Sequence, residues 1–300
     1  MTTAQKCYKT GHMPQKSLIE FVQTACDFDP TEDLIPFVAD GVLVGWVKPG
    51  FAEKLKDWPD VFIVRPRGVS LSSDYGNCEQ RTVALSEVTE TLAVEGVLSG
   101  WRNELITVSE TFHSEPIFHI ERAASRYFGL LSYAAHLNGL TVRDGVPLVW
   151  IARRSRTKAI DPDRLDNLVG GCIARGSTPL QTLHKECWEE AGIGADMAAS
   201  ARAAGAVGLC YQVEEGVHRE LVFVHDLFLP PDFEPKNQDG EVSAFMSLAV
   251  GDVIARIEAM SSHGEFTIDS AIVMVDYLIR RGFLSSERED YIELLRSIKP

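Results

Sequence analysis

No two cysteines in this chain are spaced as CxxC. Cys7, Cys26, Cys78, Cys172, Cys187 and Cys210 are scattered. That removes a zinc ribbon or a thioredoxin-like centre and leaves free, partly buried thiols in a reducing compartment. Basic charge is scarce: 29 Lys and Arg stand against 43 Asp and Glu, for a formal net charge of −14. A surface of that sign does not gather nucleic acid or an anionic membrane. It still permits a small anionic substrate, because a few Arg and Lys with a bound cation reverse the field inside one pocket. No apolar run approaches a membrane span. Residues 1–11 are polar and lack the apolar core and cleavage site of a secretory leader. The expectation is a cytoplasmic protein that binds neither nucleic acid nor membrane. Nothing in the sequence marks an oligomeric state.

Internal repeats and low-complexity linkers are also absent. The 300 residues, 45% hydrophobic and 24% charged, suit a globular chain of one large or two ordinary domains. Helical patterns fall at residues 17–26, 51–58, 85–96 and 117–128. Strand patterns fall at 41–47, 61–64 and 101–108, after a Pro-punctuated segment at 29–36. Beyond them, 131–136 reads as a strand, Asn138-Gly139 as a hairpin turn, and 140–142 as the returning strand. The apolar run 146–152 reads as a buried strand, 153–163 as a charged loop, and 168–173 as a Gly-rich strand or turn. Strands follow at 206–212 and 221–229, then helices at 248–260, 270–281 and 287–298. The expected division is an α+β unit at 1–125 and a larger α/β unit at 126–300.

The most informative segment runs from Gly171 to Ile193. Thr178 is an N-cap, Pro179 suits the first helical position, Gln181 completes a capping box, and Gly192 stops the helix. On that helix Glu186, Glu189 and Glu190 stand at i, i+3 and i+4, so they share one face with Cβ atoms roughly 5–6 Å apart. Three such carboxylates repel one another, and a hard divalent cation resolves the conflict. Leu180, Leu183 and Cys187 form a separate stripe that packs on a sheet. An isolated ExxEE is more often a solvated acidic face. The Gly-Gly turn, the capped start and the Gly stop shift the reading toward a metal site.

These residues resemble the Nudix box: Gly, five residues, Glu, seven residues, Arg-Glu, an apolar residue, any residue, Glu-Glu, any residue, Gly, an apolar residue. Gly171, Lys185-Glu186, Cys187, Glu189-Glu190, Gly192 and Ile193 fall on it without a gap. Ser177 replaces the first Glu and Lys185 the Arg, so the metal-binding trio is kept while the supports of the loop are altered; Lys makes no bidentate fork. Trp101-Arg102-Asn103-Glu104, His136-Leu137-Asn138-Gly139, Trp150 to Ser155 with Lys158, Leu165-Asp166-Asn167, Asp239 to Val242 and Ile279 to Gly282 extend the resemblance. They are similar to the Nudix branch related to the hydrolase part of fungal thiamine pyrophosphokinase fusions. The likeness covers Phe21 to Gly282.

The resemblance implies a Nudix α/β/α sandwich with a mixed sheet, preceded by the smaller unit as a lid or specificity element. It implies hydrolysis of a diphosphate linkage in thiamine diphosphate or its oxidised derivatives, releasing the monophosphate. It also implies Mg²⁺ (or Mn²⁺) held by Glu186, Glu189, Glu190 and the Gly171 carbonyl, with Glu189, Glu190 or Glu241 as general base or Glu241 as an extra metal ligand. Arg153, Arg154 and Lys158 follow a core strand, a common ligand-facing position; with Asp166 they are candidates to contact the diphosphate substrate. Asp166 and Asn167 otherwise cap the turn into the box. Trp101 and Trp150 read as core residues rather than ring-stacking platforms, and His136 and His184 as satisfied structural histidines. Other readings are a pyrophosphatase for nucleoside diphosphate sugars, dinucleotides or CoA, an isomerase of prenyl diphosphates using Cys172, and a non-catalytic ligand-binding module. The intact carboxylate trio argues against the last.

Overall fold

The computed structural model describes residues 18–260 and 264–300. Residues 1–11 with Cys7, and Ser17 at the expected helix start, lie outside them. The N-terminal part contains α1 (Leu18–Cys26), β1 (Ile35–Ala39), β2 (Val42–Val47), α2 (Pro49–Leu55), β3 (Phe62–Arg65), β4 (Gly68–Leu71), α3 (Cys78–Val94), β5 (Leu105–Val108), β6 (Phe118–Glu121) and α4 (Ser125–Phe128). Strands β2-β1-β4-β3 form a sheet, and β5 pairs with β6. Phe37, Phe62, Phe118 and Phe128 meet in the core of this part.

A seven-stranded mixed sheet dominates the rest. It comprises β7 (Leu131–Arg143), β8 (Val146–Arg154), β9 (Leu165–Asn167), β10 (Val169–Cys172), β11 (Arg202–Gln212), β12 (Val217–Phe228) and β13 (Val242–Ala249). The order is β11-β12-β7-β8-β13, with β10 on β7 and β9 on β8. β7 and β12 run parallel; the other pairs are antiparallel. One face packs on α5 (Pro179–Ala191) through Leu183 and Cys187, with α6 (Ala195–Ala198) alongside. The other face meets α7 (Val250–Glu258), α8 (Ile268–Arg280), α9 (Tyr291–Ser297) and α1. This is the expected α/β/α sandwich. Helix α1 buries Phe21 and Val22 in the core of the larger sheet, far along the chain from its sequence neighbours.

Four local expectations change. Asn138-Gly139 is not a turn, because β7 runs straight through it. Asn138 is buried, donates to Asp226 Oδ1 at 2.9 Å and accepts from Asn167. The hairpin closes six residues later at Asp144-Gly145, with φ of 50° and 78° and Arg143 opposite Val146. Those are the left-handed angles of a type I′ turn, and a buried partner for Asn138 outweighs its local turn preference. The helix expected at 117–128 is β6, a turn of 3-10 helix and α4; β6 is buried on both faces, which hides its period, and β5 supplies its hydrogen bonds. Residues 242–249 form an edge strand, so the helix expected from 248 starts at Val250. Strands β1 and β4 have no expected counterpart; they are short, and their pairing is non-local.

Because Gly145 has open space around it and φ of 78°, Gly145→Ala introduces backbone strain and no clash. It is expected to destabilise the fold by about 1 kcal/mol, read as a lower denaturation midpoint in urea. No shift would place the turn elsewhere.

Candidate functional site

Helix α5 begins as expected. Thr178 Oγ1 accepts from the Gln181 N–H, Gln181 Oε1 accepts from the Thr178 N–H, and Gly192 closes the helix at φ 64°. Its packing stripe is narrower than expected: Leu183 and Cys187 are fully buried, but Leu180 is exposed. The strand β10 brings Gly170-Gly171 against the opposite face. The Gly170 N–H donates to Glu190 Oε2 at 2.9 Å. A Cβ on Gly171 would lie 2.5–2.7 Å from the Glu186 side chain. Glycine at 171 is therefore what allows Glu186 to lie over the strand backbone.

The carboxylates differ in environment. Glu190 is buried, Glu186 nearly so, and Glu189 half-exposed. Burial pushes the Glu190 carboxyl up to about 8, against Lys158 and the Gly170 N–H, which pull it down. Burial also raises Glu186. Lys185 Nζ lies 3.0 Å from Glu186 Oε1 and 2.9 Å from Glu189 Oε2. Lys158 Nζ pairs with Glu241 and lies 3.7 Å from Glu190 Oε1. Burial depresses the Lys158 ammonium.

Glu241 is 51 or more residues from the trio in sequence, and the route back is visible. Backbone bonds from Lys236 to Ala191 and from Gln238 to Glu189 fasten the loop after β12 to the end of α5. The Ser155 N–H then donates to the Glu241 carbonyl, joining that loop to Lys158. Arg154 and Asp166 form a largely buried pair at 2.8 Å. Arg154, Lys158, Asp166 and Glu241 line one cleft of about 550 Å³, together with Gly170, Gly171, Lys185, Glu186 and Glu189; Glu190 is buried beside it. Arg153 does not line it. Adjacent strand residues face opposite sides, and Arg153 Nη1 turns to the Asp163 carbonyl at 2.8 Å.

These groups fit a divalent cation. Glu186 and Glu189 already converge on one positive point at Lys185 Nζ, and buried Glu186 and Glu190 gain most from a charge that favours their ionised forms. Cys172 also lines the cleft, but burial pushes its thiol up to about 12, which disfavours it as a nucleophile or proton donor. Trp150 is core, and Trp101 packs on the N-terminal core. His136 is satisfied through Asn167 Oδ1 at 2.8 Å, whereas His184 Nε2 is buried with no partner.

The structure also joins polar residues that the sequence placed in separate motifs. Behind His136 a buried polar chain continues through Asn167, Asn138 and Asp226 to Arg280, which donates to Asp226 at 2.8 and 3.1 Å. Arg126, His218, Glu220 and Asp269 line the cleft itself and had no sequence signal. Only the pairing of β7 with β12 in parallel, and the docking of α8, brings them there.

Residues 18–132 match the model of a domain of unknown function, DUF4743, and residues 137–269 that of the NUDIX domain. The chain is 38% identical over 269 residues to Nudix hydrolase 24, chloroplastic, of Arabidopsis thaliana, covering 89% of this chain and 73% of that protein. It is 37% identical over 276 residues to Nudix hydrolase 20, chloroplastic, of the same plant, with the same coverage. The crystal structure of DR0079 from Deinococcus radiodurans is similar at a TM-score of 0.44 and 22% identity, over 58% of this chain and 98% of that one. The chloroplastic relatives overturn the cytoplasmic placement read from the sequence. Composition and charge report solvation, whereas an organelle address is a separate receptor-read segment. Among the described residues no helix is long and apolar enough to cross a membrane. With more than a third of positions identical over nearly three-quarters of each plant relative, the chain belongs to the Nudix hydrolase family and is a pyrophosphohydrolase of a kind that uses divalent metal ions.

Proposed function

We propose that this chain hydrolyses the diphosphate linkage of thiamine diphosphate or its oxidised derivatives, releasing the monophosphate and phosphate, with Mg²⁺ as the working cation. The observation that carries the reading is the convergence of Glu186, Glu189 and Glu241 with Lys158 on one cleft wall, with Glu190 buried beside them, 3.7 Å from Lys158. The substrate choice rests on the sequence resemblance described above. Glu186, Glu189, Glu190 and the Gly171 carbonyl are the proposed cation ligands. The cation would offset negative charge building on the phosphoryl oxygens.

The protein's own groups share the remaining work. Lys158 binds a diphosphate oxygen by a charge-assisted hydrogen bond, and Arg154, oriented by Asp166, supplies a second positive charge. Glu241 takes the proton of the attacking water: it is held beside Lys158 and stays partly exposed, open to the water of the cleft. Arg153 is left out of the substrate contacts. Residues 1–125 act as a specificity element, since Arg102, Glu104 and Arg122 form part of the cleft wall.

Glu189→Gln removes a half-exposed carboxylate and is expected to lower Mg²⁺-dependent turnover on the order of 10²-fold or more, with the thermal midpoint retained. Unchanged phosphate release would sink the metal assignment.

A second expectation follows from Glu190. Its carboxyl is raised from 4.5 to about 8 in the folded chain. A raised carboxyl supports the fold while protonated, so its contribution is complete below about 4.5 and is lost as pH rises toward 8. Metal-free protein should therefore lose thermal stability across that window, and Glu190→Gln should flatten the loss. A wild-type profile identical to that of the variant would contradict the burial argument.

A further inference from the structure

Away from the box helix, the same cleft carries a second polar cluster. His218 and Glu220 lie on β12, and Asp269 lies in the first turn of α8. One ligand-type atom from each lies within 4.8 Å of the others. His218 Nε2 is 3.6 Å from Glu220 Oε2 and 3.7 Å from Asp269 Oδ1, too long for hydrogen bonds. The His218 side chain is 9% exposed, and its Nε2 has no hydrogen-bond partner. The outer contacts are filled: Ser132 Oγ donates to Glu220 Oε1 at 3.1 Å, and Tyr211 OH donates to Asp269 Oδ1 at 3.2 Å. A buried polar group left unpaired in this way is costly unless a ligand completes it.

A divalent cation and an N–H-bearing organic group both suit two carboxylates and an imidazole. The other imidazole nitrogen decides between them. Arg126 Nε donates to His218 Nδ1 at 3.2 Å. A guanidinium only donates, so Nδ1 is the acceptor and Nε2 carries the proton. A protonated Nε2 has no lone pair for a cation. Position argues the same way. Gly171 stands opposite Ala135 on one side of β7, and Glu220 opposite Ser132 on the other. Strand geometry then puts the Cα atoms of Gly171 and Glu220 about 14 Å apart, so the cluster lies along the cleft from the box turn. It stands where the far end of a diphosphate ester would reach.

We propose that His218, Glu220 and Asp269 hold the organic end of the substrate, and that this end is a cationic or amino-substituted nitrogen heterocycle. Glu220 Oε2 and Asp269 Oδ1 accept its N–H groups, and the His218 Nε2–H donates to an unprotonated ring nitrogen or a carbonyl oxygen. Burial raises the Asp269 carboxyl, a penalty that a positively charged ring offsets. The proposal rests on the hydrolase reading of the box helix, so its test separates the two.

Thiamine diphosphate and inorganic pyrophosphate are titrated into the full chain with Ca²⁺ replacing Mg²⁺, for wild type, Glu220→Gln and Asp269→Asn. Wild type should bind thiamine diphosphate the more tightly. Each variant should weaken that binding by about tenfold or more and leave pyrophosphate within about twofold. Asp269 is partly exposed, so Asp269→Asn keeps the test decisive if Glu220→Gln does not fold. Unchanged thiamine diphosphate binding, equal weakening of both ligands, or no wild-type preference would overturn the proposal. So would a stoichiometric Mn²⁺ or Zn²⁺ ion lost from both variants. Mg²⁺-dependent phosphate release by wild type is measured in parallel: its absence with discrimination intact refutes the hydrolase reading alone.

Discussion

Three carboxylates share one face of α5, and two of them are withdrawn from water. Mutual repulsion and desolvation both act against that arrangement, and much of the surrounding structure answers it. Lys185 bridges Glu186 and Glu189, Lys158 stands between Glu190 and Glu241, and the Gly170 N–H caps Glu190. The altered box positions make sense in this light. Lys185, a compact point charge, spans two carboxylates on its own helix and has no need of the bidentate fork that an Arg would bring. The glycine pair supplies what no side chain does, a backbone close enough to touch two glutamates.

Precision at that face comes from behind it. The chain of side chains from His136 through Asn167, Asn138 and Asp226 to Arg280 is buried and joins β7, β9, β12 and α8. Such a network is unforgiving of shifts, because each lost partner strands a polar group in the core. It holds β7 at one height relative to β10 and β12, and those two strands carry the box turn and the second cluster. The two ends of the cleft are thereby kept at a set distance.

The N-terminal part is bound into this arrangement. Arg122 pairs with Glu104 at 2.8 Å in the cleft wall, Arg126 orients His218, and α1 fills a place in the core of the larger sheet. Both ends of the cleft mix signs: Glu186, Glu189 and Glu241 stand with Lys158, Lys185 and Arg154 near the box helix, and Glu220 and Asp269 stand with His218 and Arg126 near α8.

The box helix was legible in the sequence because its determinants are local. A cap, a stop and an i, i+3, i+4 spacing act within one or two turns, so Thr178, Gly192 and the glutamates declare themselves without a partner. The buried strand at 146–152 and the helices around α5 and α8 were legible for similar reasons. What the sequence did not reveal was set by distant partners. Asn138-Gly139 has every mark of a turn, yet Asp226 and Asn167 hold it inside a strand, and Asp144-Gly145 turns instead. Residues 117–128 lack a readable period because β6 is buried on both faces. Arg153 and Arg154 are indistinguishable until strand pleating sends one toward Asp163 and the other into the cleft. His218, Glu220 and Asp269 form no motif, since 49 residues separate the last two and only the parallel pairing of β12 with β7 and the docking of α8 unite them. By itself the sequence determined the chemistry of one helix; the tertiary structure decided which other charges face it, because proximity across a sheet is a property of pairing and carries no trace in local spacing.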